Sequence, residues 1–359
     1  MDVLLRTAGF AVVLVATLDV FFTVLFPASG HGPIRKPLSR FVWYAFRLAG
    51  RMTTGPRRRD LLSYSGPVLI TATLSAWFLL LVVGWAMIYK PALGTGIRAS
   101  SGATDTGWAT ALYFSGFNLT TLGVGDVAPT TGVYRLLAIT EAALGFASFS
   151  MVITYFLSVY SSLIGRNAFA QGLHQLSGNT GDAAELIARL AEGDDLSEAR
   201  RHLSEKAGFL RDTHQTHRFY PVLRYFHYRE AYYALPRVLL VALDTAALIR
   251  SALHAERHAR VIHSPALNGL FDAAMALMHE LIPGVRPLPP SKRQVEEWRD
   301  RFRAARARLR DAGLRVCDDP EAGAAEYVAL RGRWEQPVRE LAATMLYEWD
   351  EIAPSPIRA

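Results

Sequence analysis

The sequence predicts an all-α membrane protein with three transmembrane helices, a short re-entrant helix between the second and third, and an all-α cytoplasmic domain. Three observations predict this fold: three long apolar windows, an uneven distribution of charge, and helical periodicity through the second half. Residues 1–165 carry 12 Lys or Arg and 6 Asp or Glu, whereas residues 166–359 carry 27 and 26. The mean hydropathy of +0.14 is therefore an average over two different halves.

The first apolar window, Ala8 to Phe26, is long enough to cross a bilayer, which takes about 20 residues, and Asp19 is its one charge. A cleaved signal peptide is the alternative. The window lacks a basic flank beyond Arg6, and strongly basic residues follow it, which opposes export. We therefore expect a retained helix, which together with the basic segment forms a first region of residues 1–60.

The charges of the connecting loops predict the orientation. Residues 28–60 carry eight basic side chains and one acid, whereas residues 90–133 carry two basic side chains. Positively charged loops stay in the cytoplasm. We expect a multi-pass protein of the inner membrane with its N-terminus outside and its C-terminal half in the cytoplasm. Residues 37–52 of the basic loop form either an interfacial helix on anionic lipids or a plain connecting helix. The basic pI of about 9.6 reflects this loop, and no nucleic-acid partner is expected.

A second region, residues 61–165, contains the other two windows, at 61–89 and 134–164, and a segment between them that is too short to cross and return as two helices. A helix from Trp108 to Leu119, capped by Asp105 or Thr106, is about 18 Å long and reaches roughly halfway through the bilayer core. The chain then returns as extended backbone, which is tolerated at membrane depth only where protein or water covers it.

The returning strand, Thr120 to Asp126, reads TTLGVGD. Its alternating glycines allow successive carbonyl groups to point the same way, because glycine accepts positive φ angles without a Cβ clash. Thr121, Leu122, Gly123 and Val124 can then present a column of carbonyl oxygens. Such oxygens replace the hydration shell of a monovalent cation.

This segment resembles the pore loop of the tetrameric potassium channels, whose filter reads TVGYG. The resemblance implies a filter at Thr121, Leu122, Gly123, Val124 and Gly125, with K⁺ bound at the first four. It also implies a position at the filter mouth for Asp126, support of the filter by Tyr113 and Phe114, and a gating hinge at Gly145. We expect Thr120 and Glu141 to support the filter as well. Because the chain has one filter copy and a closed ring needs several, the expected assembly is a homotetramer in membrane lipid.

Two departures from the family pattern leave alternatives open. Val124 stands where the family usually has Tyr or Phe, and Phe117 stands where some members have a carboxylate. A weakly selective monovalent cation channel is one alternative to a K⁺-selective channel. The other is a non-conducting, membrane-anchored helical sensor or scaffold.

Two acids lie inside the predicted spans, where charged groups are rare. For both we favour a structural hydrogen-bonding role over gating. Glu141 is expected to bond Asn118 or Tyr113 behind the filter, and Asp19 is expected to pair with the basic loop.

The second half is predicted to be helical, with cytoplasmic regions at 166–282 and 291–359 separated by a proline-rich break. The apolar stretch Val238 to Leu253 is expected to be a buried bundle helix rather than a fourth span. We find no dinucleotide fingerprint and no catalytic constellation, so we expect neither an enzyme nor a cofactor other than the permeant ion. The arginines of residues 299–310 and the pair His254/His258 are interpreted as solvated. An unknown cytoplasmic regulator completes the expected partners.

Overall fold

The computed structural model describes residues 1–25, 32–285 and 287–353. It is mostly helical with almost no sheet and confirms the predicted fold class, with three helices long and apolar enough to cross a membrane. The helices are α1 (Asp2–Val24), α2 (Arg35–Arg51), α3 (Gly55–Ser63), α4 (Ser65–Tyr89), α5 (Trp108–Leu119), α6 (Gly132–Leu176), α7 (Ala183–Leu190), α8 (Ala199–Phe219), α9 (Leu235–Ala252), α10 (Ala259–Ile262), α11 (Pro265–Leu281), α12 (Lys292–Asp311), α13 (Pro320–Arg331), α14 (Glu335–Thr344) and α15 (Trp349–Ile352). Two short antiparallel strands, β1 (Ile97–Ala99) and β2 (Val127–Pro129), pair with each other.

The chain divides into two compact units. The membrane unit consists of Met1–Ala49 and Ser65–Tyr160, and the second unit consists of Gly50–Tyr64 and Ser161–Ala359. Helix α6 is continuous through the boundary between them. Its 45 residues correspond to about 68 Å of helix, well beyond the roughly 30 Å of a bilayer core.

Close backbone approach holds α1 and α4 together in the membrane unit. A Cβ atom added at Gly9 would lie 2.6 Å from the carbonyl oxygen of Gly84, and one added at Gly84 would lie 2.8 Å from Cγ2 of Val13. Small residues allow this approach, which matters in lipid because helix association there depends on van der Waals packing. The apolar side chains around this contact form the core of the membrane unit.

The second unit is a helical bundle built around α9. All but one of the 18 residues of α9 are buried, and the helix packs against α7, α11, α12, α13 and α14. The apolar composition of α9, which could suggest a transmembrane helix, is explained by this packing, because its apolar side chains contact other helices on every side. Residues of the two predicted cytoplasmic regions contribute to this one core, so the break at Pro283 to Pro290 does not separate two cores.

The predicted boundary at residue 60 also differs from the structure. Gly50–Tyr64 belongs to the second unit. Ion pairs join three consecutive residues of α3 to other helices and loops of the second unit: Arg58 to Glu348, Arg59 to Glu351, and Asp60 to Arg229. The end of the basic loop is therefore held by charged partners of opposite sign that lie far away in sequence, which hydropathy alone does not indicate.

Two groups interpreted as solvated are instead bonded within the bundle. His258 is buried, and its Nε2 lies 3.1 Å from both an Asp194 oxygen and the Arg315 carbonyl oxygen. Of the arginines in residues 299–310, Arg301 binds the buried Asp244 and Arg308 binds Asp182. Helical periodicity identifies the apolar face of a helix but not which basic side chain meets a distant acid.

Candidate functional site

The re-entrant helix α5 has the predicted bounds, Trp108 to Leu119. Its N-cap residue is Gly107, and Asp105, two residues before the N-cap, stabilises the first turn. The Asp105 carboxylate accepts hydrogen bonds from the backbone N–H of Gly107 (2.9 Å) and the hydroxyl of Thr110 (2.6 Å). Of the two predicted caps, Asp105 makes the stabilising contacts.

The helix α5 ends in a Schellman motif that leads directly into the predicted filter. The N–H of Leu122 donates to the carbonyl of Phe117 (2.9 Å), and the N–H of Thr121 donates to that of Asn118 (3.0 Å). This arrangement requires positive φ at the position of Thr121, which is usually glycine. Thr121 has φ of 57°, an unusual conformation for a β-branched residue and one that costs about 1–2 kcal/mol.

Positive φ angles then alternate along the strand. Thr121, Gly123 and Gly125 have φ angles of 57°, 61° and 81°, whereas Leu122 and Val124 between them have negative values. In an ordinary strand, successive carbonyl groups point to opposite sides. Alternation of the sign of φ allows them to point to one side instead. The two glycines were expected in this role, and the structure adds Thr121.

The carbonyl oxygens of this strand accept no hydrogen bond from the described part of the chain: none is donated to the carbonyl oxygen of any residue from Thr121 to Gly125. The side chains of Leu122 and Val124 are 72% and 49% exposed in the single chain. Donor-free backbone at membrane depth is costly unless another group binds the oxygens.

The C-terminal end of the strand is fixed by polar contacts. The Tyr113 hydroxyl lies 3.1 Å from both carboxylate oxygens of Asp126, so α5 is tied to the residue that follows Gly125. The backbone N–H of Ser100 donates to the Asp126 carbonyl (2.8 Å), next to the β1–β2 pair. Asp126 and Tyr113, both predicted supporting residues, are thus brought together.

Aromatic side chains pack on the other face of α5. Phe114 is fully buried and makes edge-to-face contacts with Tyr89 (ring centroids 4.9 Å apart) and Phe117 (5.3 Å). Phe117 also meets Tyr113 at 5.2 Å. The residue that replaces a carboxylate in the family pattern therefore belongs to an apolar cluster that supports the helix.

Glu141 is fully buried on α6. The sequence predicts Asn118 or Tyr113 as its hydrogen-bond partner, and this prediction is wrong. Oε1 of Glu141 lies 2.6 Å from the hydroxyl oxygen of Ser115 on α5, while Asn118 donates to the Phe114 carbonyl of its own helix. Neither Ser115 nor Val82 is among the predicted site residues; the Val82 carbonyl oxygen lies 3.0 Å from the same hydroxyl. A polar residue on an otherwise apolar helix was the available signal for Ser115.

Asp19 contacts the basic segment through backbone groups. Its Oδ1 accepts from the N–H groups of Ile34 (2.7 Å) and Arg35 (3.4 Å) at the start of α2, and its Oδ2 accepts from the Trp77 indole (2.6 Å). The carboxyl group therefore lies at the positive end of the α2 dipole and links α2 to α4.

Gly145 lies where α6 passes the end of α5. A Cβ atom at this position would overlap the carbonyl oxygen of Leu119, so close packing by itself requires glycine. The helix α6 is unbroken through Gly145, and a role as a gating hinge stays a prediction. Beside this contact, an open groove of about 560 Å³ is lined by Thr120, Thr121 and Phe149 among other residues of the membrane unit.

Fold and site together define a pore-loop membrane protein, with a half-length helix and an extended strand between two spans. Residues 73–162 match the family model described as "Ion channel". A curated relative, "Uncharacterized membrane protein YdjJ" of Bacillus subtilis (strain 168), is 30% identical over 220 residues, 61% of this chain and 62% of the relative. The match thus spans less than two thirds of the relative's length. No solved structure matches the chain.

Proposed function

We propose that the protein is a subunit of a K⁺-selective channel. The observation that carries the proposal is the strand Thr121 to Gly125, with its alternating φ angles and its carbonyl oxygens without donors. A dehydrated monovalent cation is the group such oxygens bind. The C-terminal end of α5 precedes the strand, and its partial negative charge also favours a cation.

A homotetramer is the assembly that we propose. One strand supplies one wall of a filter, so several copies must surround a common axis. The exposed apolar side chains of the strand and of the neighbouring part of α6, such as Phe146 and Phe149, support this arrangement, because copies of the chain would cover them.

We also propose the inner membrane as the location, with the N-terminus outside. Gly50–Tyr64 and Ser161–Ala359 share one compact unit, which supports the same side of the membrane for both. On α2, Phe41, Tyr44 and Leu48 are exposed beside the exposed Arg40 and Arg47, a combination that suits contact with anionic lipid. The helical bundle is the place where a cytoplasmic regulator would act.

A weakly selective cation channel is the second candidate, and Val124 favours it. The side chain of Val124 is half exposed and brings no aromatic ring to brace the strand. Reversal potentials distinguish the candidates. With purified protein in planar bilayers, the reversal potential of the current should follow the K⁺ gradient and should not change with an opposing Na⁺ gradient. Equal permeability would favour the second candidate, and a lack of any cation current would favour a sensor or scaffold.

A glycine variant tests whether this strand is the filter. Gly123→Asp adds a side chain to the strand and should abolish the K⁺ current. Gly193→Asp is the matched control, because Gly193 has nearly the same φ (60° against 61°) and equally open surroundings but lies in the helical bundle. If Gly123→Asp conducts as the control does, the filter assignment is wrong.

A further inference from the structure

Three helices meet at one hydroxyl group behind the proposed filter. The Ser115 hydroxyl oxygen on α5 lies 2.6 Å from Oε1 of Glu141 on α6 and 3.0 Å from the carbonyl oxygen of Val82 on α4. Ser115 and Glu141 are both fully buried. The contact therefore joins the helix that precedes the filter to the helices on either side of it in the chain.

The number of hydrogens shared by Ser115 and Glu141 determines which of these contacts are hydrogen bonds. A serine hydroxyl has one hydrogen to donate, yet the Ser115 oxygen lies within hydrogen-bond distance of two oxygens that accept when Glu141 is ionised. Both contacts are hydrogen bonds at the same time only if Glu141 carries a proton. The carboxylic acid then donates to Ser115, and Ser115 donates to the Val82 carbonyl.

The charge environment favours the same state. No ion pair joins Glu141 to a basic side chain in the described residues, and the one titratable side chain that faces it is Tyr89 on α4. From α5 it meets the uncharged Ser115, and the titratable groups Tyr113 and Asp126 beside the proposed filter bond each other. An isolated buried carboxylate is far more costly than a neutral acid.

We propose that Glu141 is a positioning residue that acts as a neutral acid and fixes α5 between α4 and α6. This inference rests on the proposed channel function. Glu141 and Gly145 lie four residues apart on α6, and they meet Ser115 and Leu119, which lie four residues apart on α5. The two helices thus contact each other at successive turns, and the second contact immediately precedes the filter. Ionisation of Glu141 removes the donor to Ser115 and weakens the first contact.

Three variants test the proposal in planar bilayers at about pH 7 and about pH 9.5. Glu141→Gln is the uncharged isostere whose amide can donate to Ser115, Glu141→Leu removes the hydrogen bond, and Thr73→Val is the control. Thr73 is also buried, but its hydroxyl bonds the Leu69 carbonyl of its own helix (2.8 Å).

We expect the K⁺ current of the wild type and of Thr73→Val to fall at alkaline pH, by roughly tenfold per pH unit once Glu141 ionises. Glu141→Gln should conduct equally at both pH values, and Glu141→Leu should have lost most of its current at both. Loss of current in Glu141→Gln at neutral pH, or a wild-type current that does not change with pH, would overturn the proposal.

A second measurement separates this inference from the proposed function. The infrared spectrum of the wild type at neutral pH should contain the carbonyl-stretch band of a protonated carboxylic acid that is absent from Glu141→Gln. The band does not require conduction. If the wild type carries no current but has the band, the channel function fails and the neutral acid stands; absence of the band refutes the neutral acid.

Discussion

The two units bury carboxyl groups in opposite ways. In the membrane unit, Glu141 and Asp19 are fully buried and meet hydroxyl, indole and backbone N–H groups. In the helical bundle, Asp244 accepts from Arg331 (2.7 Å), Arg301 (3.1 Å) and the Tyr327 hydroxyl (2.6 Å). The buried carboxyl groups of the membrane unit thus have uncharged polar groups as partners, whereas Asp244 in the bundle binds guanidinium groups.

The solvent explains the difference. A basic side chain placed in the lipid core to pair with an acid carries its own desolvation cost, so neutral donors are the less costly partners there. In the bundle, burial raises the pKa of Asp244, but the positive charges of Arg331 and Arg301 outweigh it and hold the pKa below its usual value. The same balance lowers the pKa of Glu335, which Arg331 and Arg339 contact.

The largest stability effect is expected from Asp244→Asn, which keeps the size of the side chain and removes its charge. The buried Arg331 then keeps Glu335 as its one carboxylate partner and Arg301 loses the carboxylate that it binds, and breaking a buried ion pair in this way costs about 3–5 kcal/mol. Cys317 is the one cysteine of the chain and packs against the bundle core, so the urea dependence of its reaction with a maleimide reports unfolding of this unit. An unchanged urea midpoint would mean that the network contributes no stability.

Asp19→Asn should have a smaller effect, and one confined to the membrane unit. An amide can still accept through its oxygen, but its NH₂ group then faces an N–H donor, which costs about 1–3 kcal/mol. Thermal unfolding in detergent should shift to lower temperature, while the urea midpoint of Cys317 labelling stays the same. A shift of the Cys317 midpoint as large as that of Asp244→Asn would contradict the contrast between the units.

Arg201→Ala should have the smallest effect. Arg201 on α8 is mostly exposed and bonds Glu198 and Glu205, each at 3.2 Å. Exposed ion pairs are screened by water and salt, so the same Cys317 assay should show no measurable shift of the urea midpoint. A loss comparable to that of Asp244→Asn would show that burial is not what distinguishes the arginine contacts of this bundle.

Local sequence was sufficient for the spans, for the bounds of α5 and for the position of the donor-free strand. Hydropathy, helix length and glycine spacing are properties of short stretches of sequence. Transfer into lipid and the backbone freedom of glycine both depend on residues within such a stretch. Charge counts also identified the segment of residues 28–60 as distinct, although they did not reveal that its end joins the bundle.

Tertiary structure decided the backbone conformations and polar contacts that depend on residues distant in the chain. The positive φ of Thr121 follows from the way α5 ends, and the Ser115 partner of Glu141 lies 26 residues away in sequence. The pairing of Arg58 with Glu348 spans 290 residues, which no periodic pattern encodes. The sequence by itself determined which segments enter lipid, because that depends on composition. Only the folded chain determined which polar groups are satisfied there, because a hydrogen bond requires two groups to meet in space.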